Sequence, residues 1–338
     1  MIRKLFQRRN EQLTERASRT NEGFFEDGWI AEDEEAAWDH VRQEQEDYFE
    51  TLGRHDRKAL IFKDFAEVKD ELIEAGKNRL RPKTPWEIER TLSNPVLKMR
   101  NQPTGDCVGN AYSRAMEALI LDMISQKYEV NPRPVHPSYI YGGARMLAGS
   151  RRGAGANVAL AAAFVHQHGV LFEDASGIKS YDTDRQMSDR LGSKWDSPEM
   201  KEYIETASSF RVSAIKIPSR NPLPAINICL DAGAKIAGGF RAKFVSGEIR
   251  NGVKFGRLQG TWNHAVSLLG RVSEVDAYLW ANSHGNRYPG TCALGTPAWA
   301  INLNTENTSR MCEGASLYAL WFVQIAGNNA LPNWSPLG

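Results

Sequence analysis

Asn101-Gln102-Pro103-Thr104-Gly105-Asp106-Cys107-Val108-Gly109-Asn110-Ala111 places one cysteine just after a Gly-containing turn, at the first position of a long amphipathic pattern. From Val108 onward, apolar residues recur at Ala111, Tyr112, Ala115, Ala118, Leu119 and Met123, the spacing of a helix. A thiol at a helix N-terminus lies beside unpaired backbone N–H groups and the positive end of the macrodipole. Both favour thiolate over thiol, the state a sulfur nucleophile needs. A lone cysteine on a core helix is otherwise a small buried hydrophobe. Here two distant stretches supply a base and an orienting amide.

Downstream, His136-Pro137-Ser138-Tyr139-Ile140-Tyr141 reads as a Pro-led turn into a short helix. The Gly-rich run 149–157 lacks the GK[ST] ending and the preceding strand of a phosphate cradle, so it reads as a surface loop. Val158 to His168 reads as an Ala-rich helix ending at Gly169, with His166 and His168 as C-terminal dipole residues rather than ligands. From about 210 the period becomes alternating. Phe210–Ile217 reads as a strand, Leu223–Gly233 as a helix and Lys235–Phe240 as a buried strand. Asn263–Gly270 and Ala277–Gly285 alternate like strands and end in Gly-containing turns. Helices first and strands later predict an α+β protein with two lobes.

Upstream, residues 1–95 have another texture. Arg3, Lys4, Arg8, Arg9, Arg16 and Arg19 make the start basic, and Glu22–Glu50 is acidic with Arg42 its only Lys or Arg. Trp38, Val41, Tyr48 and Leu52 fall on one helical face there. A second helix is predicted near 58–75, aligning Ile61, Phe65, Val68 and Leu72 with Gly76 as its stop. Thr84-Pro85-Trp86-Glu87 reads as a capping box with Pro at the first helical position. Three thin helices bury little alone, so residues 1–95 read as a charged docking arm or as a set of solvated helix faces. Residues 96–338 form the main domain, with a helical lobe over about 96–209 and a β-rich lobe over about 210–338.

A chain of 338 residues with 41% hydrophobic and 25% charged content has an ordinary globular composition. Its net charge of +1 gives no global reason to expect nucleic acid or an anionic membrane as partner. Cys107, Cys229, Cys292 and Cys312 lie far apart with no CxxC pair, against a disulfide framework or zinc site and for a reducing compartment. No metal or other cofactor is expected. The first ten residues lack the apolar core of a signal peptide, and no apolar run reaches the length that spans a bilayer. A cytoplasmic or virion-associated location follows as an expectation.

Cysteine, then a His opening a strand, then an Asn closing the next strand is the order of a papain-like cysteine peptidase, which this chain resembles over roughly residues 95–303. Gly105-Asp106-Cys107-Val108-Gly109-Asn110-Ala111 resembles that family's nucleophile motif. Pro137–Tyr141 with Arg145 resembles its second helix, and Gly155 to Gly169 with Val170 and Glu173 its third. Asn263-His264-Ala265-Val266, closing at Gly270, is similar to the histidine motif. Trp280-Ala281-Asn282-Ser283-His284-Gly285 resembles the asparagine motif, usually Asn-Ser-Trp-Gly.

The resemblance implies a two-lobed papain-like fold with an N-terminal helical extension, and catalytic roles for Cys107, His264 and Asn282. It gives the oxyanion to the Cys107 N–H and an upstream side-chain amide: the family's Gln lies six residues before the Cys and Gln102 five, so either the loop is one residue shorter and Gln102 donates, or Asn101 takes the donor role. His284 stands where the family has the Trp shielding the Asn–His bond, and a polar ring there is expected to admit water. The family's bridging cysteine is Thr104 here, its aromatic after the nucleophile is Val108, and its inhibitory propeptide signature is absent from residues 1–100. The implied substrate is a protein or peptide, with specificity expected in loops 177–209 and 241–260. The resemblance further suits a phage or bacterial virion-associated protein whose residues 1–95 bind other virion proteins. Beside the peptidase stand two other readings: an inactive papain-fold scaffold, and a cell-wall amidase or endopeptidase that shares the Cys-before-His order.

Overall fold

The computed structural model describes residues 63–79, 83–94, 96–97, 100–102, 104–148, 155–175, 178, 181, 188, 190–191, 197–208, 210–284, 294–297 and 299–325. The acidic stretch 22–50, the Gly-rich run 149–154 and Cys292 lie outside them.

The α+β expectation is met, with a helical half and a curled sheet. Helices are α1 (Phe65–Asn78), α2 (Pro85–Glu89), α3 (Cys107–Ser125), α4 (Pro137–Leu147), α5 (Val158–His168), α6 (Pro198–Ala207), α7 (Leu223–Asp231) and α8 (Thr305–Cys312). Strands are β1 (Lys63–Asp64), β2 (Phe210–Ile217), β3 (Lys235–Arg250), β4 (Val253–Val272), β5 (Ala277–Ala281), β6 (Ala300–Asn304) and β7 (Ser316–Ile325). They join in the order β1-β2-β7-β3-β4-β5-β6, antiparallel except for β1 against β2. The long β4 pairs with β5 near its C-terminal end and touches β6 at Phe255 beside Asn302, so the sheet curls back on itself.

Alternation along the strands splits the core. In β7, Tyr318, Leu320 and Phe322 face the core of the helical half, whereas Leu317, Ala319 and Trp321 face the inside of the curl. The first core centres on α3, buried from Cys107 to Met123 and packed against α4 and α5. Gly109 allows the α3–α4 crossing, since a Cβ there would come within 2.2 Å of the Pro137 carbonyl oxygen. Residues 65–97 also share these cores. Val68 and Leu72 of α1 pack with Ile215 and Ile226, while Trp86, Ile88, Val96 and Leu97 pack with Leu121 and Leu279.

Several local expectations are corrected. Helix α1 runs through Gly76 to Asn78; a Cβ at Gly76 would lie 3.3 Å from that of Asp231, so this glycine serves close packing on α7 rather than a stop. His168 is not a charged dipole partner. His166 is buried with Nδ1 2.9 Å from the Val212 carbonyl, and burial, with Arg211 nearby, pulls His168 down to about 4. Stretch 241–260 is no loop either: it continues β3 and β4 as one ribbon, reversed at Asn251-Gly252, where φ is +50° and +75°. The capping box at Thr84 forms as read, with both its reciprocal bonds present. Cys107, Cys229 and Cys312 form no disulfide, and burial pushes the thiols of Cys229 and Cys312 well up. Among the described residues, no helix is long and apolar enough to cross a membrane.

Glu89, closing α2, gives the fold a pH dependence. Its Oε1 accepts from the Leu97 N–H at 2.6 Å, while Oε2 is buried with no hydrogen-bond partner among the described residues. Burial pushes the carboxyl up to about 7, against the lowering effect of that bond. The folded chain therefore holds the proton more tightly than the unfolded chain. The resulting stability is present in acid and is lost as pH rises from 4.5 through about 7. Glu89→Gln should leave stability unchanged near pH 4 and raise it by about 1 kcal/mol near pH 8, a value reduced for partial exposure. Thermal unfolding at the two pH values checks this.

Candidate active site

Cys107 is the first residue of α3, and its backbone turn is held by the Asn110 N–H on the Asp106 carbonyl at 3.1 Å. Asp106 does not cap the helix with its side chain. The carboxylate instead accepts from Ser188 Oγ at 2.5 Å, Tyr181 OH at 3.0 Å and Asn110 Nδ2 at 3.2 Å, all buried. These bonds pin the turn before Cys107 to a segment more than 70 residues downstream. Sγ of Cys107 accepts from the Ala265 N–H at 3.3 Å. The sulfur thus lies against β4 at the residue immediately after His264.

His264 Nε2 is 2.7 Å from Asn282 Oδ1. The same Oδ1 accepts from the Ser283 backbone N–H at 2.7 Å. A backbone N–H can only donate, so the atom facing both groups is the amide oxygen, and His264 must carry its proton on Nε2. Nδ1 is then the ring's basic nitrogen. Cys107 and His264 are fully buried, and Asn282 is 3% exposed.

The two amides proposed for the oxyanion part company. Asn101 is exposed and forms an antiparallel bridge with His284. Gln102 is half-buried; its backbone N–H donates to the Ser283 carbonyl at 2.8 Å, and its Nε2 to the Thr104 carbonyl at 2.9 Å. The Ser283 hydroxyl donates to Gln102 Oε1. The loop before Cys107 is thereby laced to the segment that follows Asn282.

Two aromatic groups flank His264. The His284 ring lies 4.3 Å from that of His264, centroid to centroid, and Trp262 lies 4.6 Å from it. His284 is itself buried, so its polar ring is no open door to water. Trp262 went unread in the sequence. Its signal was there: in β4 it sits on the same side as His264, with exposed Asn263 between them. Among the described residues, no group of three or more His, Cys, Asp or Glu side chains is placed to hold a metal ion.

No family model and no curated protein matches the chain. Among solved structures, it is similar to xylellain, a cysteine protease from Xylella fastidiosa, at 18% identity and a TM-score of 0.47, covering 74% of this chain and 87% of that one. Similarity also extends to procathepsin B S9 of Trypanosoma congolense, at 10% identity and a TM-score of 0.43, over 72% of this chain and 78% of that one. For procathepsin L 3 of the Tenebrio molitor larval midgut the values are 11% and 0.39, over 93% and 98%. Identities and TM-scores this low leave any functional conclusion to the site's own geometry.

Proposed function

We propose that the chain is a papain-like cysteine peptidase that cleaves peptide bonds through Cys107, His264 and Asn282. The observation that carries this is convergence. A helix-start thiol contacts the strand of a buried histidine, and that histidine is held by an asparagine amide in the tautomer that leaves Nδ1 basic. Nδ1 takes the thiol proton, and the sulfur attacks the peptide carbonyl carbon. The Cys107 N–H and Gln102 are the proposed donors to the oxyanion, with Asn101 the alternative. As the C–N bond breaks, Nδ1 returns the proton to the leaving amine, and water then hydrolyses the thioester.

A second reading, a scaffold that kept the fold without the activity, is favoured by the full burial of Cys107 and His264. Turnover needs that site to open. Release of fluorescence from a quenched peptide library decides between the two. Hydrolysis by the full chain that Cys107→Ala abolishes supports the peptidase; equal traces from both support the scaffold. The finer reading, a cytoplasmic or virion-associated phage or bacterial protein bound through its charged extension, rests on charge layout and family resemblance. It predicts that the full chain, but not one starting at Lys63, co-sediments with purified virions.

A further inference from the structure

We propose that the cavity between α1, α2 and the far end of α3 binds a small organic carboxylate with an apolar body, its charged head held by Lys235 and Arg79. The cavity measures about 1010 Å³, the size of a ligand site rather than a packing gap. It lies away from Cys107: Asp122, which lines it, sits about 22 Å further along α3 at about 1.5 Å per residue. Leu72, Trp86, Leu230, Leu269 and Tyr278 give it apolar walls. In the charged part of the lining, one carboxylate serves two cations. Asp122 Oδ2 accepts from Arg79 Nη2 and lies 3.8 Å from Lys235 Nζ. The Lys235 side chain is 5% exposed, that of Asp122 4% and that of Arg79 10%. This inference does not depend on the peptidase reading.

Lys235 is the residue that packing does not explain. It opens β3 at the head of a buried run, where an apolar side chain would carry no desolvation cost. At 3.8 Å its contact with Asp122 is too long for a hydrogen bond, and among the described residues Nζ has no other acceptor. Burial pulls the ammonium down to about 8, with Asp122 holding it up in part. The last turns of α1, α3 and α7 also line the cavity, through Gly76, Asp122 and Leu230, and helix ends of this kind favour cations. That accounts for positive charge here, but not for an ammonium left short of acceptors beside so large a space. Arg79 is engaged, with Nη1 donating to the Leu230 carbonyl at 3.4 Å. Nearby, Arg271 pairs with Asp231 and Lys77 with Glu74, and exposed Lys83 and Asp276 offset each other. The unmet charge is therefore the one shared by Lys235 and Arg79 over Asp122. A single carboxylate head neutralises it and gives Nζ its acceptor, whereas a dianion would reverse the imbalance.

The test measures binding of phenylbutyrate to the full chain by calorimetry, beside its neutral counterpart phenylbutanol, in wild type and Lys235→Met. Wild type should bind the carboxylate at least about tenfold more tightly than the alcohol, the factor set by one charge-assisted hydrogen bond. Lys235→Met keeps an unbranched apolar stem without the charge. It should weaken carboxylate binding by about tenfold and leave the alcohol within about twofold. A second readout locates the ligand in wild type: acetylation of Lys235 by acetic anhydride, followed by mass spectrometry against exposed Lys201. Excess phenylbutyrate should slow acetylation of Lys235 by about tenfold and leave Lys201 unchanged. If Lys235→Met does not fold, Lys235→Gln takes its place, and if neither folds the acetylation readout decides. The proposal is overturned by wild type that binds carboxylate no better than alcohol, or by acetylation of Lys235 that phenylbutyrate does not slow. A folded Lys235 variant that binds the carboxylate like wild type overturns it equally.

Discussion

Replacing His264 by Ala should cut peptide hydrolysis by about 10³-fold while the protein stays folded. The size follows from the double duty proposed for the ring, whose Nδ1 would take the thiol proton and later deliver it to the leaving amine. Both transfers lose their agent together. Folding suffers less, because Asn282 Oδ1 keeps the Ser283 N–H at 2.7 Å when the imidazole is gone. Asn282→Ala should be milder, about 10- to 100-fold, since it frees the ring without removing it. Measuring kcat/KM on a cleaved peptide, with circular dichroism as the folding control, checks both. A His264→Ala enzyme within tenfold of wild type would place the base elsewhere.

Arg100→Ala should cost about 3–5 kcal/mol of stability, the usual penalty for removing one partner of a buried ion pair. Arg100 is 2% exposed and lies between two buried carboxylates. Its guanidinium donates to Glu117 at 2.5 and 3.3 Å, to Glu173 at 3.2 Å, to Ser113 at 2.9 Å and to the Val135 carbonyl at 3.0 Å. Burial pushes the Glu117 carboxyl up, and Arg100 pulls it back. Without the cation, Glu117 and Glu173 lose the partner they share in the core, and the Val135 N–H at 3.0 Å from Glu117 and the nearby charge of Arg114 replace it only in part. Lys should rescue poorly, because one ammonium cannot reproduce this fork. Denaturant unfolding reads the loss, and a change below about 1 kcal/mol would show the cluster is not acting as a buried ion pair. The same cluster anchors the start of the loop before Cys107, so Arg100 links stability to the candidate site.

The legible parts of this fold were those with local causes. Helix α3 starts at Cys107 because a turn and an apolar period meet there, and α2 starts at Pro85 because its capping box is complete within four residues. Strand β2 was read at its observed bounds, since alternation switches on at Phe210. His264 and Asn282 were legible as partners only through family resemblance; the 2.7 Å bond between them depends on the β4–β5 pairing, which no local pattern states. What stayed hidden depends on distant partners. Nothing around Asp106 reveals Tyr181 and Ser188 on its carboxylate, and nothing around Arg100 reveals Glu173. Gly76 looked like a helix stop because its neighbour on α7 is far off in sequence. The Asn251-Gly252 turn and the Trp262/His264 alternation were local signals that could have been read.

The most direct measurement is the pH profile of Cys107 alkylation in the full chain beside His264→Ala. An ordinary thiol, with a pKa of about 8.5, loses reactivity about tenfold for each pH unit below that value. With His264 Nδ1 taking the proton, wild-type Cys107 should stay reactive well below neutral pH, and His264→Ala should return it to the ordinary fall. Two superimposable profiles, both falling like a free thiol, would contradict the thiolate–imidazolium pair at the centre of this site.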